Sequence, residues 1–185
     1  MTPNYVRIIS GSRKGLKIPV IDAEGLRPTT DRARETIFNL IGDVAGFRVL
    51  DLFAGTGALG IEALSRGASK VVLVESSQEV YDALRAVLKR IGDVNAEAVK
   101  DEALGYLGRC SSTFDLVFLD PPYSSDLLGK SLRMLLERGL VNGSSLIYAE
   151  CRSGQNLVAV GYQIAHQESL GQLRFYLLRK SPLAR

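Results

Sequence analysis

From residue 48 onward, short apolar runs alternate with segments of helical periodicity, and this alternation restricts the fold more than any other feature. The helical patterns cover residues 58–66, 78–91 and 127–138, and each is followed at once by a glycine. Short apolar runs separated by helices are typical of buried parallel strands. The pattern therefore predicts an α/β fold with a doubly wound, mostly parallel sheet. The apolar runs lie at residues 49–53, 71–74, 96–99, 116–119 and 146–149.

Hairpins are predicted at both ends of this core. Residues 5–10 and 16–19 read as two strands joined by the turn 11–15, and residues 162–169 and 172–178 read as a terminal antiparallel pair. Between the first hairpin and the core, Thr30 is a suitable N-cap for a helix. Its apolar face is predicted from Ala33, Ile37, Leu40 and Ile41, with Arg32 and Arg34 pointing elsewhere.

Length and composition favour one globular domain. The chain has 185 residues, of which 46% are hydrophobic and 23% charged, and this excludes disordered and fibrous classes. We divide it into an arm at 1–47 (hairpin and helix) and a core at 48–185. No apolar run suits a membrane span or a signal peptide, so a cytoplasmic protein without membrane contact is expected. Cys110 and Cys151 are too isolated for a metal knuckle, so no metal is expected.

Charge is distributed unevenly along the chain. Residues 1–48 hold eight basic and five acidic residues (+3), residues 49–170 hold eleven and fifteen (−4), and the last fifteen hold four basic residues and no acid (+4). A basic arm and tail around an acidic body suit a polyanion partner combined with a small-molecule site. An uneven but merely solvated surface would show the same totals.

A glycine-rich turn follows the first core strand. Its segment 51–60 reads DLFAGTGALG, and glycines there allow a tight turn against which a ligand can lie. The helix that follows offers unpaired amides to an anionic group. Gly55, Gly57 and Gly60 match the spacing G-x-G-x-x-G, and Glu75 lies 20 residues after Gly55. By spacing alone, a dinucleotide dehydrogenase is a legitimate alternative.

The acidic residues at the strand ends favour a different cofactor. Asp51 would repel a pyrophosphate but attract a cationic ligand. S-adenosylmethionine carries a sulfonium and an ammonium and no phosphate. Glu75 is placed to accept hydrogen bonds from the ribose hydroxyls, and Asp101 to accept one from the adenine amino group. These residues, with Asp120, predict a nucleoside lying across the carboxyl edge of the sheet.

The segment Asp120-Pro121-Pro122-Tyr123 is the second chemical signal. An exocyclic base amine is a poor nucleophile, because its lone pair is delocalised into the ring. It must be held with its hydrogens accepted and its lone pair directed at the methyl group. Asp120 can accept one hydrogen, and the carbonyl of Pro121 or Pro122 the other, on a backbone stiffened by the prolines. Tyr123 offers an aromatic face on which the base can stack.

Taken together, the segments 51–68 and 120–123 resemble class I S-adenosylmethionine-dependent amino-methyltransferases, with their Rossmann-like fold. Residues 7–11, 14–15, 26–35 and 38–39 narrow the resemblance to the bacterial 16S ribosomal RNA guanine-N2 methyltransferase family, and its most specific part is the block RPTTDR at 27–32. The resemblance spans the chain from Arg7 to about Leu178.

The resemblance implies a function and a set of site residues. The function is methyl transfer from S-adenosylmethionine to the N2 amine of a guanine in 16S rRNA or the small ribosomal subunit. The guanine is held by residues 120–123. The cofactor pocket is lined by Asp51, Ala54, Gly55, Thr56, Gly57, Glu75 and Asp101 and bordered by Thr30. The phosphate contacts expected of the arm are Arg7, Arg13, Lys14, Arg27 and Arg32.

Three alternatives stay open. A DNA amino-methyltransferase acting on adenine N6 or cytosine N4 would use the same Asp-Pro-Pro-Tyr motif, although 185 residues leave little room for a target-recognition domain. A nicotinamide-dependent dehydrogenase would fit the glycine spacing. A non-catalytic RNA-binding protein could have kept the cofactor fold.

Overall fold

The computed structural model describes residues 5–20, 30–122, 125–154, 157–171 and 173–182. Arg27 and Tyr123, two residues assigned to the site above, lie outside these ranges, as do residues 26–29 of the arm and Gln172 of the terminal hairpin.

Seven strands form one sheet in the order β5-β4-β3-β6-β7-β9-β8. The five strands β3 to β7 run parallel, and β9 and β8 add an antiparallel pair at one edge. The predicted sheet and terminal hairpin are therefore confirmed. The strands are β3 (Arg48–Asp51), β4 (Lys70–Glu75), β5 (Ala96–Lys100), β6 (Leu116–Leu119), β7 (Leu146–Arg152), β8 (Tyr162–Leu170) and β9 (Leu173–Lys180).

Helices cover both faces of this sheet. One face is packed by α1, α2 and α3 around buried residues such as Phe38 and Phe118, and the other by α4 and α5 around residues such as Leu107 and Val117. The helix α4 was absent from the prediction, because its glycines Gly105 and Gly108 weaken the helical pattern. The helices are α1 (Asp31–Ile41), α2 (Ala58–Ser65), α3 (Gln78–Ile91), α4 (Ala103–Arg109) and α5 (Leu127–Glu137).

The N-terminal hairpin of the arm packs against the hydrophobic core. Strands β1 (Tyr5–Arg7) and β2 (Lys17–Pro19) pair antiparallel, and Ile8 and Ile18 are buried with the helices of the first face. The hairpin turn lies against the C-terminal end of α2. A Cβ atom added to Gly11 there would lie 1.8 Å from the backbone oxygen of Ser65. Only glycine therefore allows this close approach.

Glu62 of α2 binds the backbone of the N-terminal hairpin. Its side chain is fully buried and accepts the backbone N–H groups of Ile9 at 2.8 Å and of Ser10 at 3.0 Å. Arg66 donates to the same carboxylate at 2.8 Å. These bonds satisfy turn amides that no strand partner reaches, and they join the arm to the helix that follows the glycine turn.

The prediction for the face of α1 was partly wrong. Arg34 is fully buried beside Ile37 and Phe38, whereas Leu40 is 38% exposed. The guanidinium of Arg34 donates from Nη2 to the carbonyl of Arg7 at 2.7 Å, and Nε and Nη1 have no hydrogen-bond partner in the described residues. Burial lowers the pKa of Arg34 despite the nearby carboxylates of Asp31 and Glu62.

No helix within the described ranges is long and apolar enough to cross a membrane.

Candidate active site

The glycine turn connects the carboxyl end of β3 to the start of α2. Gly55 and Gly57 have positive φ angles of 52° and 79°, which residues with a Cβ atom rarely adopt. A Cβ on Gly57 would also lie 2.5 Å from Cδ1 of Leu84. Both observations show a tight turn that packs closely against core side chains and has room only for glycine.

Asp51 ends β3 and is buried below the turn. The carboxylate is only 2% exposed, and Oδ2 accepts the backbone N–H of Gly60 at 3.0 Å. Burial raises the pKa of Asp51 to about 7, and the negative charge of Glu75 adds to the rise, while the bond from Gly60 opposes it. A ligand with positive charge would favour the ionised form of this group.

Glu75 ends β4 and is oriented by two backbone donors. Oε2 accepts the N–H of Gly55 at 2.9 Å, and Oε1 accepts the N–H of Ser77 at 2.7 Å. A carboxylate has about four lone-pair sites, so each oxygen keeps capacity for a further donor. The arrangement suits two adjacent hydroxyl groups of a ribose.

Asp101 follows β5 at the same edge and already has partners. Its backbone N–H donates to the carbonyl of Glu75 at 3.1 Å, and Oδ1 accepts the N–H of Glu102 at 2.9 Å. Its other oxygen forms an ion pair with Arg109, which is 62% exposed. The structure thus places Asp101 beside Glu75, with one carboxylate oxygen paired to the exposed guanidinium of Arg109.

Asp120 follows β6, and its carboxyl group joins a cluster of acids. Phe118 is paired in register with both Asp51 and Tyr148. Because side chains alternate along a strand, Asp120 and Glu150 project from the same face of adjacent strands. The carboxyl group of Glu150 is therefore a neighbour of Asp120. Burial raises the pKa of Asp120 well above its usual range, and the charges of Glu150 and Asp51 raise it further.

Glu150 was missing from the predicted site. It is only 3% exposed, and its Oε2 accepts the phenolic hydrogen of Tyr148 at 2.8 Å. The residue directly follows the predicted strand 146–149, so the rule that selected Asp51, Glu75 and Asp120 also applies to it. Its relation to Asp120 depends on the strand order, which places β7 next to β6.

The two candidate main-chain acceptors, the carbonyls of Pro121 and Pro122, differ in their hydrogen bonds. The carbonyl of Pro122 accepts both the backbone N–H of Ser125 at 3.1 Å and its hydroxyl at 2.7 Å. Within the described residues no hydrogen bond reaches the carbonyl of Pro121, whose ring is buried while that of Pro122 is exposed. Pro121 is therefore the available main-chain acceptor beside Asp120.

The described residues among the predicted phosphate contacts fall into two groups. Arg7 and Arg32 are exposed, and the bond from Arg34 to the carbonyl of Arg7 joins β1 to the first turns of α1. Lys14 is exposed in the hairpin turn, whereas the guanidinium of Arg13 forms an ion pair with Asp93.

Thr30 caps α1. Its Oγ1 accepts the backbone N–H of Ala33 at 3.2 Å, so the hydroxyl is the expected N-cap.

The residues at this edge fit S-adenosylmethionine. A buried carboxylate with no described cationic partner suits a ligand with two positive groups, and the two-point carboxylate of Glu75 suits a ribose. The charge of Asp51 would oppose a pyrophosphate bound at the same turn. The fold and the site together define an S-adenosylmethionine-dependent methyltransferase.

Comparison with known proteins agrees with this class. The family described as Conserved hypothetical protein 95 matches residues 6–179, so the chain belongs to that family. A relative from Escherichia coli K12, Ribosomal RNA small subunit methyltransferase D, is 37% identical over 178 residues, which cover 95% of this chain and 90% of the relative. The protein of the same name from Haemophilus influenzae is 39% identical, covering 85% of this chain and 86% of that one.

A solved structure gives the same result for the fold. The Escherichia coli methyltransferase yhhF superposes with a TM-score of 0.86 at 34% identity, covering 96% of this chain and 98% of that chain. The resemblance derived from the sequence is therefore confirmed, as are the enzyme class and the cofactor.

Proposed function

We propose that the protein methylates the exocyclic N2 amine of one guanine in 16S rRNA, as free RNA or within the small ribosomal subunit, in the bacterial cytoplasm. The observation that carries the proposal is the pair of acceptors after β6, namely the carboxyl of Asp120 and the carbonyl of Pro121, at the same sheet edge as Asp51 and Glu75. The names of the relatives that cover nearly the whole chain support the choice of small-subunit rRNA.

The two acceptors would form hydrogen bonds with the two hydrogens of the amine. One N–H of the guanine would donate to Asp120 and the other to the carbonyl of Pro121, so that the nitrogen becomes more tetrahedral and its lone pair, less delocalised into the ring, points at the methyl group. Pro121 and Pro122 restrict the backbone at this point and keep the two acceptors at a constant separation. Tyr123 would stack on the base.

The cofactor would be held by its charged and sugar groups. S-adenosylmethionine supplies an electrophilic methyl group when it is bound. Asp51 would face the positive end of the cofactor and Glu75 the ribose. Asp101 would exchange its ion pair with Arg109 for a hydrogen bond from the adenine amino group. The backbone of residues 54–57 (Ala54, Gly55, Thr56, Gly57) would line its path, and Thr30 would border it.

The RNA would be bound through its phosphates by the arm. Arg7, Lys14 and Arg32 present exposed cations, and Arg27 is proposed with them from the sequence. Arg13 would have to exchange Asp93 for a phosphate group, so we expect its contribution to be smaller. The target guanine must leave its stack to reach Asp120, which favours a loop or an unpaired nucleotide over a duplex.

The test uses rRNA from a strain that lacks the gene. We expect the purified protein to convert one guanine of small-subunit particles or 16S rRNA to N2-methylguanine, measured by nucleoside mass spectrometry. Asp120→Asn should reduce the rate by at least about 100-fold while S-adenosylmethionine still binds, because a neutral amide cannot offset the positive charge that develops on the amine as the methyl group is transferred.

Asp126→Asn is the matched control, since Asp126 begins α5 nearby but is exposed and pairs with Lys130 on the surface. Stabilisation of the protein by NAD and not by S-adenosylmethionine, or unchanged methylation in Asp120→Asn, would contradict the proposal.

A further inference from the structure

A groove with a volume of about 420 Å³ lies between α3 and the edge strand β5. Tyr81, Arg85 and Lys89 line it from α3, and their spacing of four residues places them on one side of that helix. Ala96 and Ala98 line it from β5, and their short side chains pack toward α3. None of these residues has a part in the reaction described above, so the α3–β5 groove is a separate feature of the surface.

The cations of the α3–β5 groove are unpaired. Arg85 and Lys89 are exposed, and neither forms an ion pair or a side-chain hydrogen bond with a described residue. Asp93, the acid at the end of the groove, is already paired with Arg13. An anionic partner would therefore meet two uncompensated positive charges along this side of α3.

The groove is continuous with the N-terminal hairpin. The ion pair between Arg13 and Asp93 joins the hairpin turn to the end of α3, and Arg90 donates from Nη2 to the carbonyl of Lys17 at 2.8 Å. Lys14 and Lys17 are exposed next to these contacts. The exposed cations of the hairpin therefore continue onto α3, a helix that the sequence pattern did not connect with RNA.

The groove lies too far from the methylation site to hold the target guanine. Strands β4 and β3 separate β5 from β6, and three strand spacings correspond to about 14 Å. Along α3, the groove extends from Tyr81 past Lys89, a rise of about 12 Å. Its shape suits an extended strand that runs along the helix while another nucleotide occupies the active site.

We propose that the α3–β5 groove binds a single-stranded segment of the ribosomal RNA substrate, with a base stacked on Tyr81 and phosphates at Arg85 and Lys89. The inference rests on the proposed function, since it assigns a second contact to the same RNA. Proteins that bind single strands combine a cationic groove with aromatic rings in this way. A second copy of the chain is a poorer occupant, because a symmetric contact would bring the same cations together.

The double variant Arg85→Gln with Lys89→Gln tests the phosphate contacts. Glutamine is a good helix former, so α3 is expected to keep its structure. The variant should bind 16S rRNA at least about tenfold more weakly at physiological salt and show a higher KM for the RNA, with kcat and the affinity for S-adenosylmethionine unchanged. The slope of log K against log salt concentration should become shallower by about 1.4, at about 0.7 for each phosphate contact of a single strand.

Two substitutions of Tyr81 test the stacking contact. Tyr81→Phe keeps the ring and should bind 16S rRNA within about twofold of the wild type, whereas Tyr81→Ala should bind at least about fivefold more weakly. Circular dichroism and the affinity for S-adenosylmethionine will show whether each variant is folded.

The matched control for the loss of charge is Lys130→Gln with Arg133→Gln. Both residues are exposed on α5, which packs on the other face of the sheet. This variant loses the same two charges, and we expect it to bind 16S rRNA like the wild type.

The outcomes are distinguishable. Wild-type rRNA affinity in the α3 double variant or in Tyr81→Ala, an equal loss in the α5 control, or a fall in kcat alone would overturn the proposal. A loss confined to small-subunit particles, with naked 16S rRNA bound normally, would also overturn it, because the groove would then contact a protein. A wild-type protein that binds 16S rRNA through the groove but forms no N2-methylguanine would instead contradict the proposed function.

Discussion

Asp51 is expected to bind the cofactor at the expense of stability, and Asp51→Asn separates the two effects. The folded protein holds Asp51 with a pKa of about 7, against an ordinary value of 3.8. At about 1.4 kcal/mol for each tenfold change, this difference corresponds to at most about 4 kcal/mol of unfolding free energy lost above pH 7. Asparagine carries no charge and can still accept the N–H of Gly60. The variant should therefore be more stable than the wild type.

The sign of the effect depends on pH. Below the unfolded-state pKa, both folded and unfolded chains bind the proton, so the variant gains nothing there. As the pH rises toward 7, the unfolded chain ionises first and the gain grows, and it is constant at higher pH. We expect urea unfolding near pH 8 to show an increase of about 1 to 4 kcal/mol, and unfolding near pH 4 to show almost none.

The binding assay completes the test. By calorimetric titration, Asp51→Asn should bind S-adenosylmethionine at least about tenfold more weakly, because it lacks the charge that faces the cation. Asp43→Asn is a matched control, since Asp43 also accepts a backbone N–H, that of Ala45 at 2.9 Å, but is exposed. A variant that is no more stable near pH 8, or one that binds the cofactor normally, would refute the reasoning.

Two further predictions follow from the same geometry. The affinity of the wild type for S-adenosylmethionine should rise about tenfold from pH 6 to pH 8 as Asp51 ionises, whereas Asp51→Asn should show no such rise, and a wild-type affinity independent of pH would contradict the assignment. Gly11→Ala should lower Tm much more than Gly15→Ala. The two glycines have similar φ angles of 81° and 89°, but only the added Cβ of Gly11 meets Ser65, so equal losses would argue against the docked hairpin.

The strand-end acids could be predicted because a parallel sheet brings the carboxyl ends of its strands to one edge. This rule needs only the positions of Asp51, Glu75 and Asp120 after apolar runs. The position of Glu150 next to Asp120 needed the strand order as well, because it follows only when β7 is known to lie next to β6. Local pattern therefore predicted the edge, and long-range pairing determined which acids meet there.

Arg34 shows a different limit of local pattern. Helical periodicity assigned the buried face of α1 to apolar residues, including Leu40, and left Arg34 in solvent. In the structure the hairpin covers the first turns of α1, so that Arg34 binds the Arg7 carbonyl and Leu40 is partly exposed. A contact between segments 27 residues apart in the chain is not encoded in the period of either one.

The position of the hairpin also bears on the size of the substrate. The helix α2 has eight residues and is about 12 Å long, with the glycine turn at its start and the hairpin turn, which carries Lys14, at its end. A phosphate bound by Lys14 would therefore lie about one helix length from the glycine turn, so the same nucleotide cannot easily reach both. The arm is therefore suited to a folded RNA segment that passes beside α2 while one extruded guanine reaches Asp120.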